Sequence, residues 1–374
     1  MIVAIDARDV RQPLSGIGRY TNNLICGLQI AGDAEVEKIV LLASSREVFA
    51  GLRGDPRFVF EPAPDRRSLL KAGRAVRRIL ARHRVDVLHT PDAFGLLASN
   101  CRRVITIHDL IPIRCRHWLH RSVKSRAWPL WLAWLRVQAS RCDHIVTVSE
   151  FSRLDIMEAL RVPADRVSVV YNGIATPQDS AGGGRQLKET VPGRIVYVGR
   201  RDPYKNIGGL IRAFAALRGR VPFATLRIVG AADGRYRDAE RLAATLRLGS
   251  AVEFSGYLDE ASLDMAYRQA AVLVFPSFYE GFGLPPLEAM ARGVPVVASN
   301  RASIPEILGD AALLVDPADV TAMAAAITRV LTERELAENL AASGLRQVKK
   351  FSLVEQGRGT ISIYKRVLAS GGHG

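Results

Sequence analysis

Short apolar, β-branched runs alternate with amphipathic stretches of helical period along the whole chain. In the first part, Ile2–Ile5, Lys38–Leu42, Val85–His89, Val104–Ile107, Ile145–Val148 and Val167–Val170 read as strands. In the second part, Arg194–Val198, Thr225–Val229, Val252–Ser255, Val272–Pro276, Val294–Ala298 and Ala312–Val315 do the same. Continuous apolar runs mark strands covered on both faces. Helical patterns lie between most of them, among them Thr21–Ile30, Ile207–Leu217 and Glu240–Leu246. The alternation predicts an α/β chain of doubly wound parallel sheets, and so many strands make two sheets rather than one.

The pattern dissolves once, at "ATPQDSAGGGRQLKETVPG" (175–193), where Gly, Pro and polar residues accumulate as in a linker. This predicts a domain over 1–175, a linker over 176–193 and a second domain over 194–350. A last helical stretch, about Ser352–Leu368, follows within 351–370, and Gly371–Gly374 reads as a frayed tail. In open α/β sheets ligands sit at the carboxyl ends of the strands. Two such sheets joined by a flexible linker are expected to face one cleft.

With 48% hydrophobic and 24% charged residues in 374, wholesale disorder is excluded. The chain starts on a strand-like run without a basic leader, so no secretory signal is expected. No window offers the roughly 18 uninterrupted apolar residues of a membrane span. Cys26, Cys101, Cys115 and Cys142 show neither CxxC pairing nor metal-ligand spacing and read as reduced thiols, which fits a cytoplasmic protein.

Charge adds something the pattern does not. The net charge is +15 and the pI about 10.1. Of that excess, +10 falls within the first 175 residues, where Glu61–Arg126 alone holds 15 basic and 5 acidic side chains. Nucleic acid, an anionic membrane surface or phosphorylated substrates would each answer it, as would plain solvated arginines. All four tryptophans lie between Trp118 and Trp134, interleaved with Arg114, Arg116, Arg121, Lys124, Arg126 and Arg136. Such a stretch suits a membrane interface, although Trp128, Trp131 and Leu135 also have the spacing of a core face.

Four loops carry candidate chemistry. In "YEGFGLPPLEAMARGVPVVAS", Glu280 and Glu288 flank the Gly281-Phe282-Gly283 turn, and a Pro-initiated helix begins near Leu284. Gly281 and Gly283 allow a ligand to approach the free N–H groups of the helix start, an anion site. Glu288, one turn inside, is placed to reach a ribose diol, and Glu280 to face a sugar. In "VYVGRRDPYKN", Arg200 and Lys205 lie on one strand-to-helix turn, where two cations suit a diphosphate. In "PLSGIGRYTNNL", Gly16 and Gly18 precede a helix, but Asn22 and Asn23 break the GxGxxG pattern of a plain dinucleotide fold. In "VITIHDLIPI", His108 and Asp109 end a buried strand. A histidine there can hydrogen-bond a sugar hydroxyl, assist proton transfer near neutral pH, or be structural.

Together with "VSEFSR" (148–153), "VYNGI" (170–174) and "IPEILGDAALLVDP" (304–317), these segments resemble glycosyltransferase family 4, the retaining family of GT-B fold, over nearly the whole chain. The resemblance implies two Rossmann-like domains closing on a nucleotide-sugar donor, no bound metal and no other cofactor, and a last helix that crosses back to the N-terminal domain. It puts Gly16 near the donor diphosphate, His108 near the transferred sugar, Arg200 and Lys205 on the diphosphate, Glu280 on the sugar and Glu288 on the ribose. The backbone of Gly283 and Leu284 completes the phosphate site, and Arg201 is the alternative to Arg200. The likeness extends to bacterial mannosyltransferases of polysaccharide and lipopolysaccharide assembly. That implies GDP-mannose as donor, with UDP and dTDP sugars as alternatives, and a glycan acceptor linked to polyprenyl diphosphate at the inner face of the plasma membrane. An epimerase of related fold lacks the Glu-x7-Glu segment. A nucleic-acid-binding protein would carry a helix-turn-helix, zinc knuckle or aromatic strand pattern, and none is present.

Overall fold

The computed structural model describes residues 1–8, 10, 16–45, 52, 55–64, 69–96, 99–175, 189–231, 234 and 236–370. Most of the expected linker (176–188), residues 13–15 ahead of Gly16 and the tail 371–374 lie outside the described residues. The chain divides into two compact units. The first comprises Met1–Leu110, Pro129–Gly173 and Phe351–Gly374, and the second Ile111–Trp128 and Ile174–Lys350. The division is therefore not a single cut: a stretch of 18 residues after Leu110 groups with the second unit, and the C-terminal helix with the first.

The first unit is built on β1 (Ile2–Asp6), β2 (Lys38–Ala43), β3 (Phe58–Pro62), β4 (Val87–Thr90), β5 (Arg102–Thr106), β6 (His144–Thr147) and β7 (Val167–Val169). They form one sheet in the order β3-β2-β1-β4-β5-β6-β7, every pair parallel. Its helices include α1 (Gly16–Ala31) and α2 (Leu69–His83). The short α3 (Ile111–Arg114) and α4 (Val123–Arg126) follow in the segment that groups with the second unit. Then come α5 (Trp128–Arg141) and α6 (Glu150–Leu160). Val40, Leu42, Val76, Leu80 and Leu88 make one of the apolar layers against this sheet.

The second unit holds β8 (Arg194–Val198), β9 (Thr225–Val229), β10 (Val252–Phe254), β11 (Val272–Phe275), β12 (Val296–Ser299) and β13 (Leu313–Val315) in the order β10-β9-β8-β11-β12-β13. Around them lie α7 (Ile207–Leu217), α8 (Asp238–Thr245), α9 (Glu260–Arg268), α10 (Leu284–Met290), α11 (Ile304–Leu308), α12 (Val320–Thr332) and α13 (Arg334–Val348). In each sheet the strand order reverses once, between β1 and β4 and between β8 and β11. Those reversals open the crevices where ligands of doubly wound sheets bind.

The last helix, α14 (Leu353–Ala369), starts at the N-cap Ser352, whose hydroxyl accepts from the N–H of Glu355, and packs on α1 within the first unit. Two glycines make the approach so close that side chains are excluded. A Cβ on Gly27 would stand 2.4 Å from the Leu353 carbonyl, and one on Gly357 would stand 2.2 Å from the Gly27 carbonyl.

Two expectations of local structure change. β3 was not expected: "FVFEP" ends on Glu-Pro and is only partly buried, as an edge strand can be. Gly16 and Gly18 do not precede α1 but lie in its first turn.

Candidate functional site

In the second unit the chain leaves β8 through Gly199 into Arg200, and the Tyr197 hydroxyl donates to the Arg200 carbonyl at 2.8 Å. The Arg200 guanidinium is 65% exposed and faces the buried Asp202 carboxylate at 3.1 Å. Arg201 points inward instead. It pairs with Glu240, donates to the Gly230 carbonyl at 3.2 Å and stacks over the Phe254 ring at 5.1 Å. A single 3-10 turn, Pro203–Lys205, ends at Asn206, whose left-handed backbone and side-chain carbonyl cap α7 by accepting from Gly209 N–H. That cap fixes where Lys205 leaves the turn.

Lys205 reaches across to the loop after β11. Its Nζ lies 2.6 Å from Glu280 Oε1, with side-chain exposures of 13% and 8%, and it sits over the Tyr204 and Phe275 rings. A pair so nearly dry is held by geometry as much as by charge. The loop itself is pinned from behind. The Ser303 hydroxyl is 3.0 Å from the Glu280 carbonyl and 3.2 Å from that of Phe282, and the Phe278 N–H donates to Tyr204 O at 2.8 Å. Gly283 has φ +104°, and a Cβ there would meet Ile304 Cδ1 at 2.8 Å, so both conformation and space demand glycine. Gly281 and Phe282 are buried beside it. Leu284 opens α10 with proline in its first turn, and Glu288 stands one turn in. The Tyr267 hydroxyl donates to Glu288 Oε2 at 2.6 Å, and Arg292 covers the Tyr267 ring while it bonds Asp264.

In the first unit, His108 follows β5 and Asp109 comes next, both half-buried. The His108 Nε2–H donates to the Pro91 carbonyl at 2.9 Å, and the Tyr20 ring meets the imidazole edge-on at 4.5 Å. Burial pulls the His108 pKa down to about 4. The imidazole is therefore neutral near pH 7, and the expected proton transfer near neutral pH is corrected: the ring serves as a neutral hydrogen-bonding group, its Nε2 taken and its Nδ1 left as the acceptor side.

The structure thus brings Arg200, Lys205, Glu280, Gly281, Phe282, Gly283, Leu284 and Glu288 to the carboxyl ends of β8 and β11. It puts Gly16, Gly18, His108 and Asp109 at the carboxyl ends of β1 and β5 in the other unit. Sequence reading missed Asp202, Tyr197, Ser303 and Tyr267, the residues that hold these groups in place. Only Asp202 left a local signal, two residues after Arg200. Among the described residues no cluster of three His, Cys, Asp or Glu side chains is arranged to hold a metal ion.

The tryptophans take the core-like option. Trp131 and Trp134 pack on Phe94, and Trp134 Nε1 donates to Ala93 O. Trp118 stacks on Phe278 at 5.0 Å and 8°, and Arg116 lies over Trp128. The apolar groups that α5 leaves in solvent are Leu130, 74% exposed, and Val137, 43% exposed. Among the described residues no helix is long and apolar enough to cross a membrane.

Comparison with known proteins bears on both units. "Glycosyltransferase Family 4" matches residues 14–178 and "Glycosyl transferases group 1" matches 185–347. O-antigen chain mannosyltransferase B of Escherichia coli is 32% identical over 98% of this chain and 100% of its own. The MMP alpha-(1->4)-mannosyltransferase of Mycolicibacterium hassiacum is 29% identical over 78% and 74%. Among solved structures, HepE of Anabaena in complex with UDP and glucose superposes with a TM-score of 0.73 at 17% identity, over 98% and 100% of the two chains. Sucrose-phosphate synthase of Thermosynechococcus elongatus gives 0.72 at 21%, over 99% and 100%. With a full-length relative of this similarity, both halves matched and two parallel-sheet units, the chain belongs to glycosyltransferase family 4 and has the GT-B fold.

Proposed function

We propose that this glycosyltransferase moves mannose from GDP-mannose onto a glycan acceptor, with retention of anomeric configuration, in the assembly of a bacterial surface polysaccharide. The observation that carries the reading is the Lys205–Glu280 pair beside the exposed Arg200, at the carboxyl ends of adjacent strands β8 and β11. In the proposal the donor diphosphate takes Arg200 and Lys205, and the exposure of Arg200 favours it over the inward-turned Arg201. Lys205 then exchanges part of its bond to Glu280 for phosphate oxygens, which frees the Glu280 carboxylate to accept from sugar hydroxyls. As the glycosidic bond breaks, negative charge grows on the leaving diphosphate, where fixed cations act most strongly. Glu288, oriented by Tyr267, accepts from the ribose, and the N–H groups of Gly283 and Leu284 face the phosphate. The family resemblance extends the proposal to Gly16 and Gly18 on the diphosphate, and to His108 and Asp109 near the sugar.

Mannose rests on the names of the relatives, among them the O-antigen mannosyltransferases. The UDP and glucose in the HepE complex keep a UDP-sugar donor as the second reading. The acceptor is proposed to be lipid-linked through a polyprenyl diphosphate, presented at an anionic membrane surface to the basic first 175 residues. No metal or other cofactor enters the proposed chemistry, since the two cations meet the departing charge, and nucleic acid is not a partner. Incubation with a panel of GDP-, UDP- and dTDP-sugars, followed by mass analysis of the free nucleotide and sugar, tests the donor. GDP-mannose turned over fastest supports the reading, and a UDP- or dTDP-sugar turned over in preference replaces it.

A further inference from the structure

Within the apolar interior of the first unit runs a continuous line of polar groups. The Tyr364 hydroxyl on α14 is 2.6 Å from His89 Nδ1 on β4. His89 Nε2 is 2.8 Å from Thr106 Oγ1 on β5, and that oxygen is 3.1 Å from the Tyr20 hydroxyl on α1. All four residues are shut off from solvent. The line ends at the Tyr20 ring, whose edge meets the His108 imidazole at 4.5 Å and 86°.

A parallel sheet covered on both faces has no need of such groups, because apolar side chains fill that space without losing hydration. Once present, the groups constrain one another. Burial holds His89 neutral, with a pKa of about 3, so one ring nitrogen donates and the other accepts. Reversing the hydroxyl at one end then requires reversing the links beyond it, and Tyr20 is kept in one orientation. The Pro91 carbonyl fixes His108 from the Nε2 side, and the Tyr20 ring fixes its tilt.

We propose that the Tyr364–His89–Thr106–Tyr20 chain is a positioning device for His108, through which the C-terminal helix sets the orientation of that imidazole. The four are positioning residues and touch no substrate. The proposal rests on the reading of His108 as a sugar-facing group. It gives α14 a second task, because the helix that covers α1 also anchors the far end of the chain.

The test uses the full chain and four variants: Tyr364→Phe, Tyr20→Phe, Tyr20→Leu and His108→Ala. Donor turnover is measured with GDP-mannose, together with the ¹⁵N-correlated resonances of the histidine rings and the melting temperature. Tyr364→Phe is expected to shift the His108 ring resonances and lower kcat by about 5- to 20-fold, with donor KM within about twofold. Tyr20→Leu is expected to lower kcat by on the order of 10², the scale of a misplaced reacting group, and Tyr20→Phe, which keeps the ring edge, to recover part of that. Unmoved His108 resonances and unchanged kcat in Tyr364→Phe would overturn the proposal even if the melting temperature fell. Should Tyr364→Phe not fold, the nearly isosteric Thr106→Val cuts the same chain at its middle and is judged by the same two readouts. Full activity in His108→Ala with shifted resonances in Tyr364→Phe would retain the device and overturn the sugar-facing role instead.

Discussion

Lys205 Nζ and Glu280 Oε1 stand 2.6 Å apart although 75 residues separate them in the chain, and both side chains are almost dry. From sequence alone the two residues look like independent loop charges whose loss would hardly affect folding. Their burial together changes that. Removing one partner leaves the other uncompensated in a nearly closed space, so Lys205→Ala and Glu280→Ala should each destabilise the fold, by up to about 3 kcal/mol. Transfer should fall in both by on the order of 10²–10³. A Lys205→Met/Glu280→Leu double variant should regain much of the stability and none of the activity. Thermal melts and initial rates of the three proteins check this, and wild-type turnover in either single variant contradicts it.

Stability should fall on mild acidification. Burial holds His108 and His144 at pKa values of about 4 and His89 at about 3, whereas an unfolded chain protonates histidine near 6.5. Between those values the unfolded state binds more protons, so stability is fully present above about 6.5 and declines as pH falls towards 4. Melting temperatures at half-unit steps from pH 7.5 to 4.5 should show the decline. His144→Gln, which removes the group that accepts from Arg366 NH2, should flatten it. A level profile from pH 7 to 5 contradicts the assignment.

Turnover should survive EDTA. Arg200 and Lys205 supply two positive charges at the proposed leaving diphosphate, a role otherwise taken by a divalent ion. Rates measured before and after chelation, then with Mg²⁺ or Mn²⁺ restored, decide the point. A strict requirement for added ion contradicts the leaving-group assignment.

Binding to anionic vesicles should depend on Leu130 and Val137 more than on the tryptophans, three of which pack against Phe94 or Phe278. Each engaged basic side chain contributes about 1 kcal/mol at a charged bilayer, and salt screens that share. Co-sedimentation with anionic vesicles should weaken from 0.1 M to 1 M salt and weaken further in Leu130→Ser/Val137→Ser. Indifference of the wild type to anionic vesicles at low salt contradicts membrane association.

Much of this was legible before any coordinates. Strands such as Val272–Phe275 announce themselves because a parallel sheet buries both faces, and Pro285 with Gly293 brackets α10 locally. The charged groups of the donor loops were legible for a related reason: Arg200 and Lys205 share one turn, and Glu280 and Glu288 share another. Their partners were not. Ser303 behind Glu280, Tyr267 against Glu288, and Tyr364 reaching His89 across 275 residues depend on tertiary register, which no local pattern records. β3 was missed because a half-buried edge ending in Glu-Pro resembles a loop. His108 was placed correctly at its strand end, but its depressed pKa comes from neighbours folded around it.

The most direct measurement is the melting temperature of the wild type and of Lys205→Ala with and without GDP-mannose. A ligand at 100 times its Kd stabilises a native state by about 2.7 kcal/mol, which amounts to several degrees for domains of this size. The wild type should rise by that amount and Lys205→Ala should show little or no rise. No shift with any nucleotide sugar, or an equal shift in both proteins, would contradict the account of a donor held at Arg200, Lys205 and Glu280.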